Sequence, residues 1–299
     1  MAIVNFGSLN LDKVYRVPHF CAGGETILAK SQTDSVGGKG LNQSIAIARS
    51  GAAVRHAGMI GDGGETLRGY MHVNGIDTSL LQTCSAPQGH AIIQVNPAGQ
   101  NCIIVYGGSN QLVSVPYIDE TLDRFQAGDY LMLQNEISNV DHLITCAHNK
   151  GMRVVLNASP VDENLLRVDF AALDWLVVNE IECMAIADCN DLTQAYETLK
   201  RRYPDVGILL TMGVEGSVSW ADREEIRQRA YPVKAMDTTG AGDTFVGYFV
   251  GCLANGFSRA EAMRHASMAS AVAVSRLGAA SSIPLMADVK KALAAVDAT

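Results

Sequence analysis

The sequence predicts an α/β protein with an open, mostly parallel sheet and a smaller β-sheet standing off it. Three observations carry that reading. From about residue 130 the chain alternates short β-rich runs with helical patterns, as βαβ units covered on both faces do. The first third carries alternating strands with no helices between them, and the last third is helical. The 299 residues are 48% hydrophobic and 18% charged, enough apolar material for a sizeable core and too much for a disordered chain. At about 150 residues per domain, that length fits two domains or one large domain with an appendage.

Taken in order, residues 1–7 read as a first strand, lacking the basic start and long apolar centre of a signal peptide. Residues 26–36, 90–95 and 102–106 alternate as strands, and the turn Asn96-Pro97-Ala98-Gly99-Gln100 joins the last two as a hairpin. Strands outside βαβ units need a sheet of their own. The segments of about 13–36 and 88–108 are therefore expected to form a lid on a single domain of residues 1–299. The thin core of such a lid would expose one face unless a substrate or second subunit covered it, so a homodimer through the lid is expected. Strands follow at 130–133, 153–156, 175–178 and 207–211. Helices are expected at 140–150, at 191–202 with Asp191 as N-cap, at 241–255 before Gly256, and from Ser258 to about 277 before Gly278.

Charge excludes one function class. With 23 Lys plus Arg against 31 Asp plus Glu, the net charge is −8, and capture of a phosphate backbone needs a basic face. The one dense basic run, Lys200-Arg201-Arg202, lies near Glu197 and Asp205 and reads as a solvated helix end. The richest apolar stretch, 269–274, is broken by Ser270, Ser275 and Arg276, far short of the roughly 20 residues a bilayer requires. The seven cysteines show no C-x-x-C and no His shows metal-ligand spacing, so neither a disulfide framework nor a zinc site is expected. Reduced thiols in a cytoplasmic protein are the economical reading.

Three motifs carry chemistry. The strongest is Asp237-Thr238-Thr239-Gly240-Ala241-Gly242-Asp243-Thr244-Phe245, small residues opening into an apolar-periodic helix. The glycines let backbone N–H groups converge, and the helix adds the positive end of its dipole, making an anion hole for phosphate. Asp243 would repel that phosphate unless it served the reaction. A base that takes the proton from an attacking hydroxyl, kept ionised by the helix N-terminus, would justify it; the alternative is a plain helix cap. The second motif, Val36-Gly37-Gly38-Lys39-Gly40-Leu41-Asn42, enters a helix with Ile45, Ala48 and Ala52 or Ala53 on its apolar face. It lacks the spacing of a phosphate-binding Walker loop. Close backbone approach to a polyhydroxy ligand, with Asn42 offering donor and acceptor, fits, as does a tight turn with Asn42 exposed. The third, Gly7-Ser8-Leu9-Asn10-Leu11-Asp12, places Asn10 and Asp12 on one face at the carboxyl end of the sheet, where open α/β folds bind ligands. G-x-G-x-x-G, G-x-S-x-G and H-E-x-x-H are absent, which argues against a dinucleotide-dependent dehydrogenase and the common hydrolases.

Together these pieces resemble the ribokinase, or PfkB, family of carbohydrate kinases from about residue 3 to about residue 285. G-G-K-G-x-N and D-T-x-G-A-G-D match its two signatures, and further matches are Gly24-Glu25-Thr26, Asn157-Ala158-Ser159-Pro160, Asn179-Ile181-Glu182, Thr211-Met212-Gly213 with Gly216, and Gly278 with Ser282. Cys21-Ala22-Gly23-Gly24 replaces a more proline-rich approach to the lid, and Val178 stands where Pro is common. The resemblance implies a ribokinase-like three-layer α/β/α domain with a mostly parallel central sheet and a small β-sheet lid. It implies that Asp243 is the catalytic base and that the Gly240, Ala241 and Gly242 amides hold the transferring phosphoryl group. Asn10, Asp12, Gly38, Lys39, Asn42 and Glu136 would line the sugar site. Asn179 and Glu182 would organise magnesium and phosphate, the glutamate through water. Thr211, Gly213 and Gly216 would border ATP. Asp237, Thr239, Ala273, Gly278 and Ser282 match the family's monovalent-cation loop, whose ion is usually potassium.

The implied reaction is transfer of the γ-phosphoryl group of ATP to a small sugar, D-ribose at its terminal hydroxymethyl group being the best match. The alternatives are a sister kinase for 2-deoxyribose, fructose, a nucleoside or a keto sugar acid, and a non-catalytic sugar or nucleotide sensor on the same fold. Aromatics are only 6% of the chain, which disfavours the base platform a nucleoside kinase would want. An intact Asp243 argues against a sensor.

Overall fold

The computed structural model describes residues 1–298. In chain order, β1 (Ile3–Phe6) leads to β2 (Asn10–Arg16), β3 (Ser31–Gly37), α1 (Lys39–Arg49), β4 (Val54–Ala57), β5 (Met59–Asp62), α2 (Glu65–Val73), β6 (Gln82–Pro87), β7 (His90–Val95) and β8 (Asn101–Tyr106). Then come α3 (Val115–Leu122), β9 (Tyr130–Gln134), α4 (Val140–Asn149), β10 (Arg153–Asn157), β11 (Trp175–Asn179), α5 (Glu180–Ala187), α6 (Leu192–Arg202) and β12 (Gly207–Thr211). The chain continues through β13 (Ser217–Ala221), β14 (Glu224–Gln228), α7 (Ala241–Ala254), α8 (Arg259–Val274) and α9 (Met286–Asp297).

The main sheet has the order β14-β13-β12-β11-β10-β9-β1-β4, parallel from β4 to β12 and antiparallel at the β13–β14 edge. Its central strands are apolar throughout because both faces are covered. In β9, Leu131 and Leu133 face a core shared with α3, α4, α5 and α6, while Tyr130 and Met132 face the core beneath α1, α2, α7, α8 and α9. This is the expected three-layer arrangement. A second sheet, β3-β2-β7-β8, stands apart and exposes Ile103, Ile104, Val105 and Tyr106. Asn10 and Asp12 thus belong to the start of this small sheet rather than to the main one. Among the described residues no helix is long and apolar enough to cross a membrane.

Two boundaries and one surface differ from expectation for identifiable reasons. β3 begins at Ser31, not near residue 26, because its last partner is Arg16 in β2, after which Pro18 offers no N–H to extend the ladder. α8 stops at Val274, three residues early: the Val274 carbonyl instead accepts from the Met236 and Asp237 amides of the loop before α7. The basic run closes α6, but Lys200 is largely covered, lying over the Trp220 ring and paired with Glu197 and Glu225.

One helix contact sets the site's geometry. α1 and α7 cross so closely that a Cβ added to Gly247 would lie 2.4 Å from Ala46 Cβ, and one on Gly251 would lie 2.1 Å from Ser50 Oγ. Small residues on both helices let their backbones approach, and this brings Asn42 and Gln43 beside Asp243. Gly247→Val would force the pair apart. We expect at least about 2 kcal/mol of destabilisation, typical of overpacking against backbone, read as a lowered denaturant midpoint; an unchanged midpoint would show the contact to be loose.

Candidate active site

The segment after β1 and the turn into α1 lie back to back, and glycines permit it. A Cβ on Gly40 would come within 2.4 Å of Ser8 N, and one on Gly38, at φ +95°, within 2.9 Å of Ser8 O. In exchange, Ser8 O accepts from the Leu41 amide at 3.0 Å and Ser8 Oγ from the Gly40 amide at 3.3 Å. Ser8 Oγ also donates to Glu136 Oε2 at 2.5 Å, and the other Glu136 oxygen pairs with Lys39 Nζ at 3.1 Å. Asn10 is buried and its Oδ1 accepts from Asn110 Nδ2 at 2.8 Å, while Asn110 Oδ1 holds the Leu9 amide. The structure therefore joins Asn10, Gly38, Lys39 and Glu136 in one cluster.

Asp12 faces the same space. Burial, then the Glu136 charge, push its carboxyl up to about 7 in spite of Lys39. Burial works to lower the Lys39 ammonium, but the carboxylates of Glu136, Asp243 and Glu182 together outweigh it and raise its pKa. Four acidic groups from four parts of the chain thus converge around one cation.

Asp243 sits in the first turn of α7, behind the left-handed N-cap Gly240. Its Oδ2 accepts from Asn42 Nδ2 and its Oδ1 from Gln43 Nε2, both at 2.9 Å. Gln134 Nε2 in turn donates to Gln43 Oε1 at 2.6 Å and to Asn5 Oδ1 at 2.9 Å. Asp243 is therefore not its own helix's cap: its side chain is held by the neighbouring helix. Burial raises its carboxyl to about 6, opposed by Lys39 and by the two amides. It is ionised at neutral pH, yet basic enough to take a proton. Asn42 Oδ1 is buried with no hydrogen-bond partner among the described residues, an unmet acceptor that a ligand hydroxyl would satisfy.

Of the three amides expected to form an anion hole, that of Ala241 donates to Thr238 O at 3.2 Å. Those of Gly240 and Gly242 have no protein acceptor among the described residues. Beside them opens a cavity of about 600 Å³, lined by Asn179, Thr211, Gly213, Gly216 and Gly242 among others, a volume suited to a nucleotide. Asn179 and Glu182 form a capping box on α5, so their polar atoms already serve a structural purpose. Burial raises the Glu182 carboxyl against the pull of Asn179, Ser159 and Lys39. In the loop before α7, Asp237 accepts from the Thr239 amide at 2.9 Å and the Gly278 amide at 3.0 Å. Burial opposes these bonds, but with Arg16 they hold Asp237 below the usual carboxylate range. Ser282 Oγ donates to Ala279 O, and Ala273 O accepts from the Arg276 amide.

Residues not anticipated are Gln43, Gln134 and Asn5, linked in a hydrogen-bond chain to Asp243, and Tyr231, Val233 and Phe245, which wall the cavity. Gln43 directly follows a recognised motif, so its adjacency to Asn42 was a usable signal. The cavity wall at 230–235 comes from irregular chain without periodicity.

A nucleotide-sized cavity reaches the N-terminus of the helix that carries a braced carboxylate, and that carboxylate meets a cluster of amides and acids suited to hydroxyl groups. Such a layout defines a phosphotransferase acting on a polyhydroxy acceptor. The chain belongs to the pfkB family of carbohydrate kinases, which it matches over residues 2–286. It is 34% identical to a ribokinase of Haemophilus influenzae over 93% of this chain and 94% of that one. Among solved structures, a Thermotoga maritima ribokinase matches with TM-score 0.86 and 32% identity, covering 98% and 99% of the two chains. The Arabidopsis thaliana ribokinase complexed with ribose and ATP matches with TM-score 0.85 and 27% identity, covering 98% of each.

Proposed function

We propose that this chain transfers the γ-phosphoryl group of ATP to the terminal hydroxymethyl oxygen of D-ribose, giving ribose 5-phosphate and ADP. The observation that carries the reading is the Asp243 carboxylate, braced by Asn42 and Gln43 and next in sequence to Gly242 in the wall of a nucleotide-sized cavity. Ribokinases among the relatives of similar length support ribose as the acceptor. Asn10, Asp12, Lys39 and Glu136 orient the sugar, and the unmet Asn42 Oδ1 accepts from one of its hydroxyls. Asp243 takes the proton as the sugar oxygen attacks the γ-phosphorus; the bond to the bridging oxygen breaks and leaves ADP. The Gly240 and Gly242 amides steady the charge on the transferring group.

The carboxylate of Glu182 and the amide of Asn179 are hard oxygen donors that fit a hydrated Mg²⁺, which supplies charge neutralisation on the phosphates. Asp237, Thr239, Ala273, Gly278 and Ser282 offer carboxylate, carbonyl and hydroxyl oxygens, a donor set that fits K⁺, and such an ion would shape the anion hole. The small sheet acts as a lid over the sugar, and its exposed apolar face pairs with a second copy in a cytoplasmic homodimer.

The test is ADP release from MgATP in potassium buffer across pentoses, hexoses and nucleosides, with Asp243→Asn as the blank. Turnover with ribose alone supports the assignment; another preferred sugar moves only the specificity, and no turnover above the blank points to a sensor. The pH profile gives an independent check. Asp12, with a pKa of about 7, and Asp243, at about 6, must both be ionised. We expect kcat/KM for the sugar to fall as pH drops through 7 and to steepen below 6. A flat profile down to pH 5 would remove both carboxylates from the reaction.

A further inference from the structure

α3 and α4 lie side by side on the layer facing away from α1 and α7, and neither contributes a side chain to the cluster around Asp243. On their outer surface Asp119 of α3 meets His142 and Cys146, one turn apart on α4. His142 Nε2 lies 2.8 Å from Asp119 Oδ1 and 3.3 Å from Cys146 Sγ, and Cys146 Sγ lies 3.8 Å from Asp119 Oδ1. Among the described residues no other three of His, Cys, Asp or Glu bring single ligand atoms within 4.8 Å of one another. The sequence shows no His at metal-ligand spacing to another His and no C-x-x-C, and His142 and Cys146 are an i, i+4 pair of mixed type. The partner across the helix pair, Asp119, is not visible from sequence spacing.

The geometry points to a site for one divalent transition-metal ion of the zinc class, held by Asp119 Oδ1, His142 Nε2 and Cys146 Sγ with a fourth position open to water. Two arguments support it. Tetrahedral zinc, with bonds of about 2.0 to 2.1 Å to nitrogen and oxygen and about 2.3 Å to sulfur, sets ligand–ligand edges of roughly 3.3 Å for O–N and 3.6 Å for the two edges to sulfur. The observed triangle departs from these by about 0.5 Å or less, within reach of side-chain rotation alone. Secondly, the His142 ring and the Cys146 thiol of α4 both turn to one oxygen of α3, Nε2 at 2.8 Å and Sγ at 3.8 Å from Asp119 Oδ1, so three different ligand types converge from two helices. A shared cation satisfies all three at once. Side-chain exposures of 31% for His142 and 52% for Asp119 leave room for the fourth ligand and a path of access. A mixed N/S/O donor set with a thiolate selects zinc-class ions over Mg²⁺, so the site stays distinct from the nucleotide's metal. Binding would displace the thiol proton to solvent and pin α3 to α4.

The test is a Co²⁺ titration of the reduced full-length chain with Mg²⁺ in excess, followed by the thiolate-to-cobalt charge-transfer absorption. One equivalent should develop the band, and Zn²⁺ should abolish it. Cys146→Ser should remove the band. His142→Gln and Asp119→Asn should each weaken binding by more than about 100-fold, since outer-shell partners alone are worth about 10- to 100-fold. All three are surface changes and should leave kinase turnover in Mg²⁺ at the wild-type level, which confirms their folding. No band with Co²⁺ in excess, a band that survives Cys146→Ser, or unchanged affinity in His142→Gln would each overturn the proposal.

Discussion

Asp243→Asn should cost about 10²- to 10⁴-fold in kcat, the range a positioned general base contributes, while ATP affinity stays near wild type. The substitution keeps the side chain's volume and one acceptor for Asn42 or Gln43, so the α1–α7 crossing survives. The cavity wall is formed by Ala241, Gly242 and Phe245 rather than by the carboxylate, so the nucleotide keeps its contacts. Single-turnover kinetics separate chemistry from binding. Near-normal turnover would remove Asp243 from the mechanism and leave it a structural acceptor for two amides. Loss of ATP binding together with turnover would show instead that the carboxylate organises the cavity.

The second large effect is expected at Asp12. Asp12→Ala should raise the sugar KM by about 10- to 100-fold, the worth of a hydrogen bond to a charged group, with a smaller change in kcat. Gly37→Ala should reproduce much of that loss with Asp12 intact. The new Cβ would lie 2.0 Å from Asp12 Oδ2, so the carboxylate must swing out of the position proposed to hold the sugar. Stability should move the other way. The folded state raises the Asp12 carboxyl from 3.8 to about 7, so its contribution is fully present below about pH 3.8 and lost as pH rises through 7. At pH 8 the wild type carries the whole cost of burying that charge. Asp12→Asn should therefore melt at or above the wild-type temperature at pH 8, and the difference should shrink towards pH 5. A melting temperature well below wild type at pH 8 would show that the ionised carboxylate stabilises the fold.

Much of this molecule was legible because its central strands are continuous apolar runs and several helices carry explicit end signals: Asp191 before α6, Ser258 before α8 and Gly256 after α7 all stand at element ends. Less legible were β4 and β5, four residues each, whose mixed composition sets up no periodicity. β14, Glu224–Gln228, is an edge strand rich in charge, as edge strands are, and it reads as loop. The site followed the same division. Asp243, Asn42 and Gly38 lie in glycine-rich turns whose backbone demands are written locally. Gln43 and Gln134 act only because two helices cross at Ala46 and Gly247, a contact between residues about 200 positions apart that no local pattern records. Asn179 and Glu182 show the opposite case, where a local pattern has a sufficient local cause in the capping box.

The crossing of α1 and α7 also bears on how the polypeptide is made. β1 pairs with β4 and β9, so a nascent chain that has delivered residues 1–134 can close one side of the main sheet. At that stage the small-residue surface of α1 at Ala46 and Ser50 still lacks the helix that fits it. Only when Gly247 and Gly251 emerge from the ribosome is that surface filled, and the same event carries Asp243 to Asn42 and Gln43. The proposed base thus meets its two amides in one step, late in synthesis, and a stalled product ending before α7 has the turns around Gly38 and Asn42 but neither Asp243 nor the helix that seals them.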